Sequence, residues 1–119
     1  MPKPVLSSSR KYIETIFYQA LEGVDPYHLM RSSVRASNGK LYLGDTILDL
    51  TSHANKYLIA MGKAAGGMTN AFLGISKIQP RAGIVALPAS DPTPIPSPLS
   101  VFYAGHPHPN RASIDAGLA

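Results

Sequence analysis

The chain contains no cysteine in its 119 residues, so neither a disulfide framework nor a thiolate metal site is available to it. A reducing compartment is compatible with that absence. No apolar run approaches the roughly 18 residues that a membrane-spanning helix needs, and the opening MPKPVLSSSRKYIETIF lacks the apolar core of a secretory signal. A cytoplasmic location is therefore expected. A mitochondrial presequence is the alternative, because Arg10 and Lys11 precede an amphipathic helix, although Glu14 and Glu22 argue against it. Runs of like charge are missing too. The net charge of +4 comes from basic residues scattered among acidic ones, a pattern that attracts anions generally without the clustered basic face of a nucleic-acid binder. Neither nucleic acid nor a membrane is expected as a partner. With 45% hydrophobic residues, the chain can bury one modest core, which means a single domain or part of one.

What is present centres on Lys56 to Phe72, KYLIAMGKAAGGMTNAF. Tyr57 to Met61 is a short continuous apolar run, as in a strand buried on both faces. Gly62 allows a tight exit, and Ala71, Phe72 and Ile75 recur at helical spacing beyond it. Strand, turn and helix follow. A turn at the C-terminal end of a parallel strand opens into the crevice where α/β sheets bind ligands. Lys63 stands there, beside helix N–H groups that have no partner within the helix, so Gly62, Lys63 and Ala64 outline a site for a phosphate or a carboxylate. The pattern is not a P-loop, because Tyr57 and Ala64 replace its first glycine and its hydroxyl. Nor is it the dinucleotide fingerprint, which Ala64 interrupts. The equal alternative is that the glycines serve close packing and Lys63 is a solvated surface charge.

Elsewhere the pattern predicts an α/β fold. Residues 1–8, with two prolines, form a tail, and the serines after them can cap a helix whose Ile13, Ile16, Phe17, Ala20, Leu21 and Val24 bury one face. Gly23 ends it. Asp25 followed by Pro26 starts a second helix, with an apolar stripe of Leu29, Met30 and Val34. Ser37 to Gly39 is a turn, and KLYLGDTILDL reads as a hairpin about Gly44-Asp45 of type II′. Ala82 to Leu87 is a second buried strand, parallel to the first by a crossover. Prolines at 88, 92, 94, 96 and 98 mark a long exposed loop, and Leu99 to Tyr103 is a third strand. The loop at Gly105, His106, Pro107, His108 and Pro109 then falls near Lys63 if the sheet is parallel, and Asn110 caps a last helix through Ala112, Ile114 and Ala116. His106 and His108 lack the further ligands that zinc requires, so no metal site is expected.

Three segments in this order carry a family likeness: the first helix running into VDP at Val24 to Pro26, the turn YLIAMGKAAGGM, and the loop AGHPHPNRAS. The chain resembles the amino-terminal part of the glycerate 2-kinase family, the enzymes with a MOFRL domain at their other end. That resemblance implies a Rossmann-like three-layer sandwich with a parallel sheet, cut off after the third core strand, with residues 9–119 as an incomplete part of the kinase α/β domain. It implies transfer of the terminal phosphoryl group of ATP to D-glycerate with Mg2+. It further implies Lys63 as the catalytic lysine, with Gly62, Ala64, Gly105 and His106 beside the substrate or phosphate, and a carboxy-terminal domain as the missing partner. Lys63 could hold either a phosphate or the glycerate carboxylate. Alone, the chain is expected to be inactive. The alternative is a non-catalytic anion-binding module derived from the kinase. Where the family has glycine this chain has Ala60, the acidic pair after its GHPxP motif becomes Asn110 and Arg111, and ALPASDP lacks the family's lysine after the second core strand.

Overall fold

The computed structural model describes residues 6–119. The tail expected over 1–8 lies outside the described residues as far as residue 5, and from Leu6 onward the chain is already helical. The first helix, α1 (Leu6–Gly23), ends at Gly23 as its sequence predicts, and the serines lie within it rather than before it. Its apolar stripe is not buried: Ile13, Ile16, Phe17, Leu21 and Val24 are all exposed. The helix stands away from the body and touches mainly α2 (Pro26–Ser33). The radius of gyration is accordingly 19.2 Å, with extents of 71 × 41 × 22 Å, where a compact chain of this length measures about 13–14 Å.

Entry into α2 is set locally. The Asp25 carboxylate accepts the N–H groups of Tyr27 at 2.9 Å and His28 at 3.3 Å, and Pro26 occupies the first turn, where its missing donor costs nothing. The helix stops earlier than its apolar stripe implies. Val34 belongs instead to β1 (Val34–Ser37), which pairs antiparallel with β2 (Lys40–Leu43), and β2 with β3 (Thr46–Asp49). The expected hairpin is thus two strands of a three-stranded meander. At its second turn Gly44 has φ +56° while Asp45 stays out of the left-handed region, which is the type II′ pattern.

The second sheet is parallel throughout, in the order β4 (Tyr57–Met61), β5 (Ala82–Pro88) and β6 (Leu99–Ala104). Between β4 and β5 runs α3 (Ala65–Ser76), which ends on Lys77 in the left-handed conformation at φ +56°. Alternation along β5 assigns the two faces. Val85 and Leu87, 0% and 1% exposed, meet Ala65 and Leu73 of α3, Leu99 and Val101 of β6, and Leu58 and Ala60 of β4. Ile84 and Ala86 look the other way, where α4 (Arg111–Leu118) packs on β6 and β5. Helix, sheet and helix make three layers, a Rossmann-like α/β arrangement.

Two expectations are corrected here. The β4 strand is not buried on both faces; it is an edge strand, with Ile59 70% and Met61 76% exposed on the side away from α3. The proline-rich stretch is a loop, but one of its faces is not free. Asp91, Thr93 and Ile95 are half-buried while Pro92, Pro94 and Pro96 face outward, so the segment lies extended across α3, with Ile95 in the core and Asn70 Nδ2 donating to the Pro94 carbonyl at 2.9 Å. A spacing of two between prolines leaves every second side chain free to turn inward.

Because Leu87 is 1% exposed in the buried cluster of the parallel sheet, Leu87→Ala is expected to lower unfolding stability by about 2–5 kcal/mol. The control Ile47→Ala, at an exposed site in β3, is expected to stay within about 0.5 kcal/mol. Urea unfolding followed by circular dichroism measures both.

Candidate functional site

Parallel pairing brings the ends of β4, β5 and β6 to one rim, since Met61 pairs with Ala86 and Pro88 with Ala104. The turn after β4 is anchored there. Gly62 donates its N–H to the Ala86 carbonyl at 3.0 Å, and its own carbonyl accepts the Ala65 N–H at 3.1 Å. Its φ of +111° is open to glycine and strained for any other residue. The sharp reversal throws Lys63 outward onto the rim. Lys63 is exposed, and among the described residues no ion pair or hydrogen bond engages it.

The loop after β6 is held just as tightly. A Cβ at Gly105 would lie 2.2 Å from the His108 carbonyl oxygen, so the chain folds back on itself there without room for a side chain. Asn110 then closes the loop: its side chain accepts the Ser113 N–H at 3.3 Å while Ser113 Oγ accepts the Asn110 N–H at 3.0 Å, a reciprocal capping box at the start of α4. Asparagine at this position therefore caps fully, and Arg111 is engaged with Asp115 one turn on at 3.0 Å.

A cavity of about 670 Å³ joins the two loops. Gly62, Lys63, Gly105 and His106 all line it; Ala64 does not. Below them the walls are apolar, from Ile59 and Met61 of β4, Ile84 and Ala86 of β5, and Ala116 of α4. Among the described residues no aspartate or glutamate lines the cavity, and no group of three or more histidines, cysteines or acidic side chains is placed to hold a metal. The arrangement offers one cation and one imidazole at the mouth of an apolar recess, a setting for the charged end of an anion.

The first turn of α3 contributes less than its sequence implies. No side chain caps it, and Ala65 already spends its N–H on Gly62. On the opposite flank the Asp91 carboxylate lies against Gly66, with Oδ2 2.9 Å from the place a Cβ would take. A negative group there suits the positive end of the helix dipole, so the chain supplies its own anion to that side. Asp91 is also the acceptor for the Thr93 hydroxyl and for the Thr93 N–H at 2.9 Å. Those bonds, the hydroxyl's first, hold its carboxyl below the ordinary value of 3.8. The Asp-Pro-Thr spacing is a sequence sign of such a turn, but only the fold reveals that it covers α3.

A family model described as a domain of unknown function, DUF4147, matches residues 12–119. Among solved structures, the PH0495 protein from Pyrococcus horikoshii OT3 is similar at 25% identity with a TM-score of 0.73. The likeness covers 90% of this chain and 23% of that one, so the chain spans under a quarter of the length of the protein it resembles. No curated protein matches.

Gly105→Ala is expected to destabilise the protein, because the new methyl meets backbone rather than a flexible side chain, by roughly 1–3 kcal/mol in urea unfolding. For Asp91 the folded carboxyl titrates below its unfolded value. Its stabilising contribution is thus present above the unfolded pKa and disappears as pH falls through the folded one. Thr93→Val should raise the Asp91 midpoint back toward 3.8 in a carbon-detected NMR titration.

Proposed function

This chain belongs to the DUF4147 family, and from that premise we propose that it is the amino-terminal part of an enzyme that transfers the terminal phosphoryl group of ATP to D-glycerate. One observation carries the reading: the Gly62–Lys63 turn and the Gly105–His106 loop, from strands of distant sequence, share one cavity at the C-terminal rim of a parallel sheet. The family likeness in GKAAGG and GHPHPN falls on those same two loops.

In this reaction a hydroxyl oxygen of glycerate attacks the terminal phosphorus, the bond to the ADP oxygen breaks with its electron pair staying on ADP, and the hydroxyl proton passes to solvent water. Such transfer needs little covalent work from protein and much stabilisation of phosphoryl charge. The unpaired ammonium of Lys63 supplies it, aimed by a turn that Gly62 fixes. His106, beside the same cavity, holds the other end of the anion. The family implies Mg2+, but no aspartate or glutamate among the described residues lines the cavity to bind it and Asp91 is committed to Thr93. These residues do not fit a magnesium site, so its protein ligands would have to come from elsewhere.

That same lack of an acidic side chain favours a second reading, a binding module that holds an anion at Lys63 without turnover. Kinetics separate the two. In the natural full-length protein, glycerate-dependent conversion of ATP to ADP with formation of phosphoglycerate is expected, and Lys63→Ala is expected to lower kcat/KM by about 10²–10³ with unchanged circular dichroism. The 119-residue chain alone is expected to be inactive. Anion binding without glycerate-dependent turnover in the full-length protein would replace the kinase with the binding module.

A further inference from the structure

Three polar side chains line the cavity at the rim: Lys63, His106 and Ser113. Among the described residues, every other one on its wall is apolar or glycine. The three come from separate elements, the turn after β4, the loop after β6 and the first turn of α4. Each can donate a hydrogen bond, and none is acidic. A few convergent polar groups in an otherwise apolar recess are what fixes the charged part of a small ligand.

Ser113 already has a structural duty, since its Oγ accepts the Asn110 N–H at 3.0 Å in the capping box. That bond occupies a lone pair and leaves the hydroxyl proton. The acceptor this proton reaches, Asn110 Oδ1, is 3.4 Å away, outside the usual O–H···O range, and Oδ1 also accepts the Ser113 N–H at 3.3 Å. A hydroxyl that accepts one bond is a stronger donor of another. Ser113 is half-buried at the cavity wall, so an anion seated there offers its proton a better acceptor. The usual residue at this position of a capping box is glutamate or glutamine. Glutamate would cap equally well, but it would bring a negative charge to the cavity; serine caps without doing so.

We propose that Lys63, His106 and Ser113 form a three-donor seat for a phosphoryl group, with the Ser113 hydroxyl as its specificity-determining contact. Donors arriving from three elements suit a group with three terminal oxygens, whereas a carboxylate offers two in one plane. The rim therefore takes phosphate in preference to the glycerate carboxylate. Lysine supplies a point charge, while the imidazole and the hydroxyl supply direction. Apolar walls strengthen all three by lowering the local dielectric. This assignment rests on the reading of the Gly62–Lys63 rim as an anion site, and it holds for a kinase and for a binding module alike.

Calorimetric titration of the natural full-length protein with inorganic phosphate tests it. Ser113→Ala is expected to weaken phosphate binding about 10-fold, and Ser113→Thr to stay within about two-fold of the natural protein. Asn110→Ala removes the capping acceptor but keeps the Ser113 hydroxyl, so it too is expected to stay within about two-fold. Glycerate binding without nucleotide is expected to be unchanged by Ser113→Ala. Equal losses of phosphate in Ser113→Ala and Asn110→Ala would reduce Ser113 to a helix cap and overturn the seat. A silent Ser113→Ala would do the same, as would a loss for glycerate as large as for phosphate. A natural protein that binds no inorganic phosphate overturns the seat whatever its glycerate turnover. Lys63→Ala keeps the two ideas apart: if it abolishes phosphate binding while Ser113→Ala is silent, the anion site stands and the seat falls, and if neither variant has an effect, both fall.

Discussion

Parallel pairing of β4 with β5 and of β5 with β6 is the constraint from which the site follows. Strands that run the same way must end at the same rim, so the residues that leave them, Gly62 and Lys63 from one and Gly105 and His106 from another, meet across a cavity although more than forty positions separate them in sequence. Had one of the two pairings been antiparallel, the two loops would have left at opposite ends. The pairing itself depends on β5, whose Val85 and Leu87 are the most deeply buried side chains of the sheet. Its alternation gives α3 one face to cover and α4 the other.

The two loops reach the rim by different means. After β4 the backbone turns at a positive φ that suits glycine, and a bond from Gly62 to Ala86 pins the turn to the central strand. After β6 the turn is steric, with no space for a Cβ at Gly105, and the capping box of Asn110 and Ser113 fixes where α4 begins. Lys63 therefore projects from a held backbone while its own side chain has no ion-pair partner among the described residues. Around it Asp91 lies against the first turn of α3, and no acidic side chain among the described residues lines the cavity. No helix among the described residues is long and apolar enough to cross a membrane.

Much of this was visible in local sequence. Asp25-Pro26 and Asn110 announced their helices because a capping side chain acts on N–H groups only two or three residues away. Gly44-Asp45 announced its turn for a similar reason, and the apolar runs of β4, β5 and β6 marked the strands. Local pattern misled where burial depended on distant partners. The stripe on α1 and the run YLIAM both carry apolar residues of the kind a core takes, yet α1 stands clear of the body and one face of β4 is open. The prolines at 92, 94 and 96 signalled a loop correctly, but the alternate residues that fasten it to α3 gave no periodic signal strong enough to notice.

By itself, then, the order of residues determined most of the elements, the caps at Asp25 and Asn110 and the identity of the two glycine-bearing loops, since each of these is settled by interactions within a few positions of the chain. Only the tertiary structure decided that the loops share a cavity, that Asp91 sits against α3, that Ala64 is left out, and that the α3 and α4 layers lie on opposite faces. Those outcomes depend on strand direction and on which face each crossover takes, and neither is encoded in any short stretch of sequence.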